Sequence, residues 1–175
     1  LAAMQTALRF PSLRFSPKRL QRSESSEFAF LARRLTPRTV FMDIGSPDCD
    51  LALQAASYVE RVYAVDVSGR FLQTVLVPLN LRLVLCGGVR IPVPESSVDV
   101  AFSGGFIDQL HAEDAAAHLA SVHRSLVPGG EYVCRTASPS EVRKRMLAAG
   151  FSRVRVLWPF FSFTRGNLLR IAGIR

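Results

Sequence analysis

Cysteine is scarce in this chain, and its placement excludes two architectures. Cys49, Cys86 and Cys134 are far apart and odd in number, with no CxxC pair and no cysteine–histidine spacing suited to zinc. A disulfide scaffold and a zinc module are therefore ruled out. No metal site is expected, and buried thiols point to a reducing compartment. No apolar run approaches the roughly 18 residues of a membrane span. There is no internal repeat and no low-complexity tract. Acid is absent from residues 1–23, which carry Arg9, Arg14, Lys18, Arg19 and Arg22.

What is present is a 175-residue chain, 49% apolar, with a net charge of +8. That length suits one domain with one core. Residues 1–25 read as a basic N-terminal arm, targeting-derived or disordered, and residues 26–175 as the folded domain. The arm, rich in Arg, Ser, Leu and Phe, has the composition of the tail of an organellar transit peptide. The expected location is intracellular: cytoplasmic, with mitochondrion or chloroplast as the alternative. A second basic cluster comprises Arg143, Lys144, Arg145, Arg153 and Arg155. Nucleic acid or an anionic surface is a candidate partner through the arm, against the plainer reading of solvated charge.

From Thr39 onward, strand and helix patterns alternate. Thr39–Ile44, Arg61–Val67, Leu81–Cys86, Val98–Phe102 and Glu131–Arg135 read as buried strands. Glu27–Leu35, Leu51–Val59, Gly69–Val77 (capped by Ser68), Asp114–Leu126 and Ser140–Ala149 read as helices. Arg153–Leu157 and Leu168–Ile174, separated by Pro159 and a turn at Arg165-Gly166-Asn167, read as an antiparallel hairpin. Right-handed crossovers then require a mostly parallel sheet with helices on both faces. The expectation is an α/β, three-layer, Rossmann-like fold with seven strands and a C-terminal antiparallel hairpin.

The most informative stretch is Phe41-Met42-Asp43-Ile44-Gly45, an apolar strand ending in Asp-x-Gly. About twenty residues on, Tyr63-Ala64-Val65 ends in Asp66. A strand, a glycine turn, a helix and a strand ending in a carboxylate form the frame of a nucleotide-type cofactor site. With Arg90–Val100 leading into the fourth strand and Leu126-Val127-Pro128-Gly129-Gly130 before the fifth, the chain resembles the class I S-adenosylmethionine-dependent methyltransferases of the type 11 kind. The resemblance covers residues 38–157. It implies S-adenosyl-L-methionine as cofactor and a three-layer methyltransferase fold for residues 26–175. It also implies that Asp43, Gly45, Ser46, Asp66, Gly88, Val89 and Ser103 border the cofactor, with Asp66 accepting from the ribose hydroxyls.

The chain departs from that pattern in its glycine loop. Gly-x-Gly-x-Gly is expected, and Gly45-Ser46-Pro47-Asp48-Cys49 stands in its place. Pro47 offers no N–H, and Cys49 brings a side chain where backbone is expected beside the ligand. Cys86-Gly87-Gly88-Val89 carries no acid where relatives bind the adenine amine. A nicotinamide-binding reading is disfavoured, because Pro47 and Cys49 occupy positions where its fingerprint needs glycine. His111 and Asp108, after the fourth strand, are candidate catalytic groups, and His118 and His123 are expected at the surface or in packing. Two functions stand side by side. One is a methyltransferase with a small-molecule or lipid-linked acceptor. The other is a catalytically inactive methyltransferase-like domain serving a larger assembly.

Overall fold

In the computed structural model the described residues are 26–45, 47–67, 77–157 and 169–175. The basic arm, Ser46, Ser68, most of the helix expected over 69–77, Pro159, the turn at 165–167 and Leu168 lie outside them.

The elements run α1 (Ser26–Leu31), a 3-10 turn (Ala32–Arg34), β1 (Val40–Ile44), α2 (Asp50–Ala55), β2 (Arg61–Asp66), β3 (Leu81–Leu85) and β4 (Val98–Ser103). A second 3-10 turn (Phe106–Gln109) follows, then α3 (Ala112–Ser125), β5 (Leu126–Thr136), α4 (Pro139–Ala148), β6 (Arg153–Leu157) and β7 (Leu169–Ile174). The seven strands are ordered β3-β2-β1-β4-β5-β7-β6. Pairs among β1 to β5 are parallel, while β7 runs antiparallel to both β5 and β6.

Two faces follow from the period-two alternation of strand side chains. Met42, Ile44, Tyr63, Val65, Tyr132 and Cys134 point to the side where Leu119 and Val122 of α3 and Val142 and Met146 of α4 complete a core. Phe41, Val62, Ala64 and Val133 point to the other side, against Phe28 and Leu31 of α1 and Leu51, Ala52 and Ala55 of α2. Nearly continuous apolar strands are what a sheet covered on both faces requires. The β1 entry is fixed by Asp99, whose carboxylate accepts from Val40 N–H at 2.7 Å.

Several boundaries differ from expectation. α2 stops at Ala55 rather than Val59, because the chain must turn toward β2. The helix expected over Glu27–Leu35 tightens into 3-10 geometry after Leu31. α3 begins at Ala112, two residues before Asp114. β5 starts at Leu126, five residues before Glu131. The Pro128-Gly129-Gly130 segment, expected to precede the fifth strand, joins it, with a register shift against β4 between Val98 and Val100. The C-terminal residue holds it there: Gly129 N–H donates to Arg175 O at 3.1 Å and Arg175 N–H to Gly130 O at 3.0 Å. Such non-local pairing leaves no mark in local composition.

Candidate functional site

Parallel strands bring the ends of β1 and β2 together. Ile44 pairs with Val65, so Gly45 and Asp66 are the next residues on neighbouring strands. Gly45 adopts φ +76, a left-handed conformation open to glycine without strain, and its N–H donates to Val65 O at 2.8 Å. The turn is thus tied to β2 and leaves the carboxyl end of the sheet, where ligands of open α/β sheets sit. Asp66 is 6% exposed and Asp43 1%. Each makes an interaction within the folded chain. Asp66 is therefore part of the packed wall of the site rather than a freely solvated strand end.

The departures in the glycine loop take a specific form. Cys49 has φ +52, a left-handed conformation that favours glycine. Its side chain is 1% exposed and packs in the core with Phe41, Leu51 and Ala52. This corrects the expectation that Cys49 intrudes on the ligand: the thiol faces inward, and left-handed backbone at a non-glycine residue carries strain. Burial, with the nearby carboxylates of Asp43 and Asp66, pushes the Cys49 thiol up to about 12. It is a neutral packing group at physiological pH and no nucleophile.

The opposite wall is built from Gly88, Phe106, His118, Tyr132 and Ser103. Gly88 has φ +76, and a Cβ added there would overlap the Phe106 ring. A Cβ on Gly45 would lie 3.0 Å from Phe106 Cδ2. The two glycines therefore make room for one ring, which bridges the ends of β1 and the loop after β3. Phe106 in turn lies 5.3 Å from the His118 ring, centroid to centroid. His118 is fully buried, with Nδ1 2.6 Å from Gly88 O and Nε2 3.3 Å from Tyr132 Oη, and Tyr132 Oη is 2.8 Å from Ser103 Oγ. Burial lowers the His118 pKa below its usual value and raises that of Tyr132.

Of the remaining expected residues, Ser103 is buried and bonded to Tyr132, and Val89 is half-buried beside Gly88. Asp108 is committed to structure: Thr136 Oγ1–H donates to one oxygen at 2.6 Å and Ala137 N–H to the other at 2.8 Å, tying the turn after β4 to the end of β5. His111 is exposed at the start of α3, where its carbonyl accepts from Ala115 N–H at 2.8 Å. Sequence reasoning missed Phe106, Tyr132 and the role of His118. The spacing Ala115, His118, Leu119, Val122 puts His118 on the apolar face of α3, and that signal could have found it.

A cavity of about 340 Å³ lies between Phe28, Leu35, Pro37 and Val59, on the loops that enter β1 and β2. It is at the other end of the sheet from Gly45 and Asp66 and has no charged lining, so it is not the site. A family model described as a methyltransferase domain matches residues 42–134. The chain belongs to this family. The methyltransferase domain is similar in fold to the S-adenosylmethionine-dependent methyltransferase of Aquifex aeolicus, at 16% identity over 92% of this chain and 99% of that one, with a TM-score of 0.68. It is likewise similar to the Mesorhizobium loti enzyme, at 15% identity over 86% and 98%, TM-score 0.68. A third likeness is to Burkholderia thailandensis 1,6-didemethyltoxoflavin-N1-methyltransferase with bound 1,6-didemethyltoxoflavin and S-adenosylhomocysteine, at 18% identity over 85% and 76%, TM-score 0.67. At such identities the likeness is one of fold. No curated protein matches the chain.

S-adenosyl-L-methionine is the cofactor of this class of methyltransferase domain. The residues present fit it in outline. A carboxylate stands at the end of β2 beside a left-handed glycine turn on β1, and a compact aromatic wall faces them across the loop after β3. Among the described residues no helix is long and apolar enough to cross a membrane.

Proposed function

We propose that this methyltransferase domain transfers a methyl group from S-adenosylmethionine to a small-molecule or lipid-linked acceptor. The observation that carries the reading is the adjacency of Gly45 and Asp66 at the carboxyl edge of the sheet, with Gly45 in left-handed backbone. Asp66 accepts from the two ribose hydroxyls of the cofactor. Gly45 gives the backbone close approach, with Asp43 fixing the turn from the strand below, and Ser46 is a further cofactor contact. Gly88 and Val89 border the adenine, and Ser103 stands beneath the methionine end. The sulfonium supplies an already activated methyl group, so alignment of the acceptor furnishes most of the rate.

Asp108 shapes the mouth through Thr136 and Ala137, and His111, exposed at the start of α3, is the titratable group available to an acceptor. Only Ala137 and Ser138 separate β5 from α4, so little chain covers the acceptor side there. An open mouth suits an acceptor presented at a surface or small enough to need no lid. The alternative, a domain without turnover in a larger assembly, draws no support from the site over the enzyme reading.

Calorimetric titration with S-adenosylmethionine and S-adenosylhomocysteine tests this. Binding near micromolar is expected, followed by S-adenosylhomocysteine formation when a phospholipid or small-metabolite fraction is supplied. Absence of binding at millimolar ligand would overturn the reading.

A further inference from the structure

One end of the sheet concentrates arginine on a single face. Arg153 of β6 pairs with Ile174 of β7, Arg155 with Ala172 and Leu157 with Arg170, and Arg170 pairs in turn with Arg135 of β5. Paired residues of a ladder project to the same face, and alternate residues of a strand to opposite ones. Ala172 packs in the core beneath α1 and Val154 in the core on the other side, so Arg135, Arg153, Arg155 and Arg170 all lie on the α1 face. α1 and the turn after it stand over β5 there: Arg135 Nη1 donates to Glu27 Oε1 at 2.6 Å and Arg34 Nε to Glu131 Oε2 at 2.9 Å. Beyond them, the edge strand β6 leaves Arg153 and Arg155 exposed.

Phe30 organises the inner part of this surface. Its ring centroid lies 4.4 Å from Arg34 Cζ and 4.5 Å from Arg170 Cζ, so one ring holds two guanidinium groups by cation–π attraction. The acids present do not balance the charge. Among the described residues of these elements, Arg34, Arg135, Arg153, Arg155 and Arg170 face only Glu27 and Glu131. Glu27 Oε1, already held by Arg135, is 3.9 Å from Arg170 Nη2. Arg170 Nε is buried without a hydrogen-bond partner, while 17% of the side chain stays open to solvent. Burial lowers the Arg170 pKa, Glu27 opposes that, and Arg135 and Arg34 add to it. A guanidinium nonetheless keeps its proton in a protein, so this face holds cationic charge that an anion would relieve. Charge on an edge strand also discourages association between sheets, which would account for Arg153 and Arg155. It does not account for Arg34 and Arg170, which lie inward of the edge.

We propose that this face binds the phosphates of a single-stranded nucleic acid, with Arg34 and Arg170 beside Phe30 as inner contacts and Arg153 and Arg155 as outer ones. Arginine forks suit phosphate oxygens. Arg153 and Arg155 stand two residues apart on one strand, about 7 Å, and Arg170 is on the next strand, about 4.8 Å across. Cations repeated at such intervals match successive phosphates of an extended chain better than one small anion. Two adjacent strands are too narrow for the phosphate rows that flank a duplex groove about 12 Å wide. A bilayer fits less well, because none of the exposed large apolar side chains among the described residues lies on α1, β5, β6 or β7 to enter it. The surface is separated from Gly45 on β1 and Asp66 on β2 by β4 and β5, and the proposal does not rest on the cofactor reading.

The test is fluorescence anisotropy of labelled oligouridylate with the full chain, titrated between about 50 and 200 mM salt, with melting temperature measured in parallel. The parent should bind, with affinity falling steeply as salt rises. The double variant Arg153→Gln, Arg155→Gln should bind more weakly and flatten the slope of log affinity against log salt by about 1.4, at about 0.7 per phosphate contact of a single strand. Its melting temperature should stay that of the parent, since both side chains are exposed. Arg170→Gln should flatten the slope by about 0.7, and the double variant carries the test if this one does not fold. The basic arm is present in every variant, so its contribution cancels. An unchanged slope in the double variant, or in a folded Arg170→Gln, places any binding elsewhere and overturns the proposal, as does a parent that binds no oligouridylate. Tighter binding of a duplex than of the single strand overturns it too. So does a loss in the double variant of binding to phosphatidylglycerol vesicles with none to the oligonucleotide, which would assign the face to a bilayer.

Discussion

Cys49 offers a test in which the usual order of two substitutions should reverse. At an ordinary helical or extended position glycine is less stable than alanine by roughly 0.5–1 kcal/mol, because the unfolded chain gains freedom. Cys49 sits at φ +52 immediately before α2, with its side chain packed among Phe41, Leu51 and Ala52. Cys49→Ala removes the sulfur from that packing but keeps a Cβ in left-handed backbone, which costs about 1–2 kcal/mol relative to glycine. Cys49→Gly loses the same packing and relieves that strain, against about 0.4–1 kcal/mol of unfolded-state entropy. Both variants should be less stable than the parent from the lost burial. The glycine variant should nevertheless exceed the alanine variant by about 0.5–1 kcal/mol. Urea denaturation of the three proteins, compared by midpoint at common slope, measures the difference. Since the thiol faces the core, neither variant should tighten S-adenosylhomocysteine binding. An alanine variant more stable than the glycine variant would refute the assignment of strain at this position, and tighter cofactor binding by either would refute the inward orientation of the side chain.

Asp66→Asn preserves shape at a residue that is 6% exposed, so it tests charge with less damage to packing than alanine would cause. It should weaken S-adenosylhomocysteine binding by about 1.5–3 kcal/mol, the range for hydrogen bonds to a charged group; calorimetric affinity equal to the parent's would make Asp66 structural. For pH, burial holds His118 below the 6.5 of an unperturbed imidazole, so on acidification the unfolded chain takes up this proton before the folded one does. The His118 contribution to stability is therefore fully present above about pH 6.5 and is lost progressively as pH falls from there through the folded-state pKa. Urea midpoints of parent and His118→Gln should diverge between neutral and mildly acidic buffer, with the glutamine variant showing the shallower fall. Parallel curves would contradict the burial of a neutral imidazole, and His123, whose pKa is also lowered by burial, is present in both proteins and cancels.

Most of the fold was legible in local sequence, for identifiable reasons. Strands covered on both faces need near-continuous apolar runs, and Val40–Ile44, Arg61–Asp66 and Val98–Ser103 carry them within a residue or two of the observed limits. Leu157 pairs with Arg170 and Arg153 with Ile174, the antiparallel hairpin expected from two short strands close in sequence. The early start of β5 was not legible, because Pro128-Gly129-Gly130 has the composition of a turn and becomes strand through bonds to Arg175. Nor was the tightening after Leu31, where Arg34 is drawn to Glu131 across the sheet at 2.9 Å.

By itself the sequence determined the chain's layering, its seven strands with a C-terminal antiparallel hairpin, and the pair Gly45 and Asp66, because each rests on periodicity or on a residue type with a single backbone use. Tertiary structure alone decided which way side chains at the altered positions face. Cys49 turns its thiol into the core while its backbone imitates glycine, and Gly88 is a glycine because the Phe106 ring occupies the space of its Cβ. Likewise, a histidine in an alanine-rich helix becomes part of a buried hydrogen-bonded chain only when β5 brings Tyr132 to one ring nitrogen and the loop after β3 brings Gly88 to the other. Directions of this kind depend on contacts between segments distant in sequence, and a local pattern of residues carries no record of them.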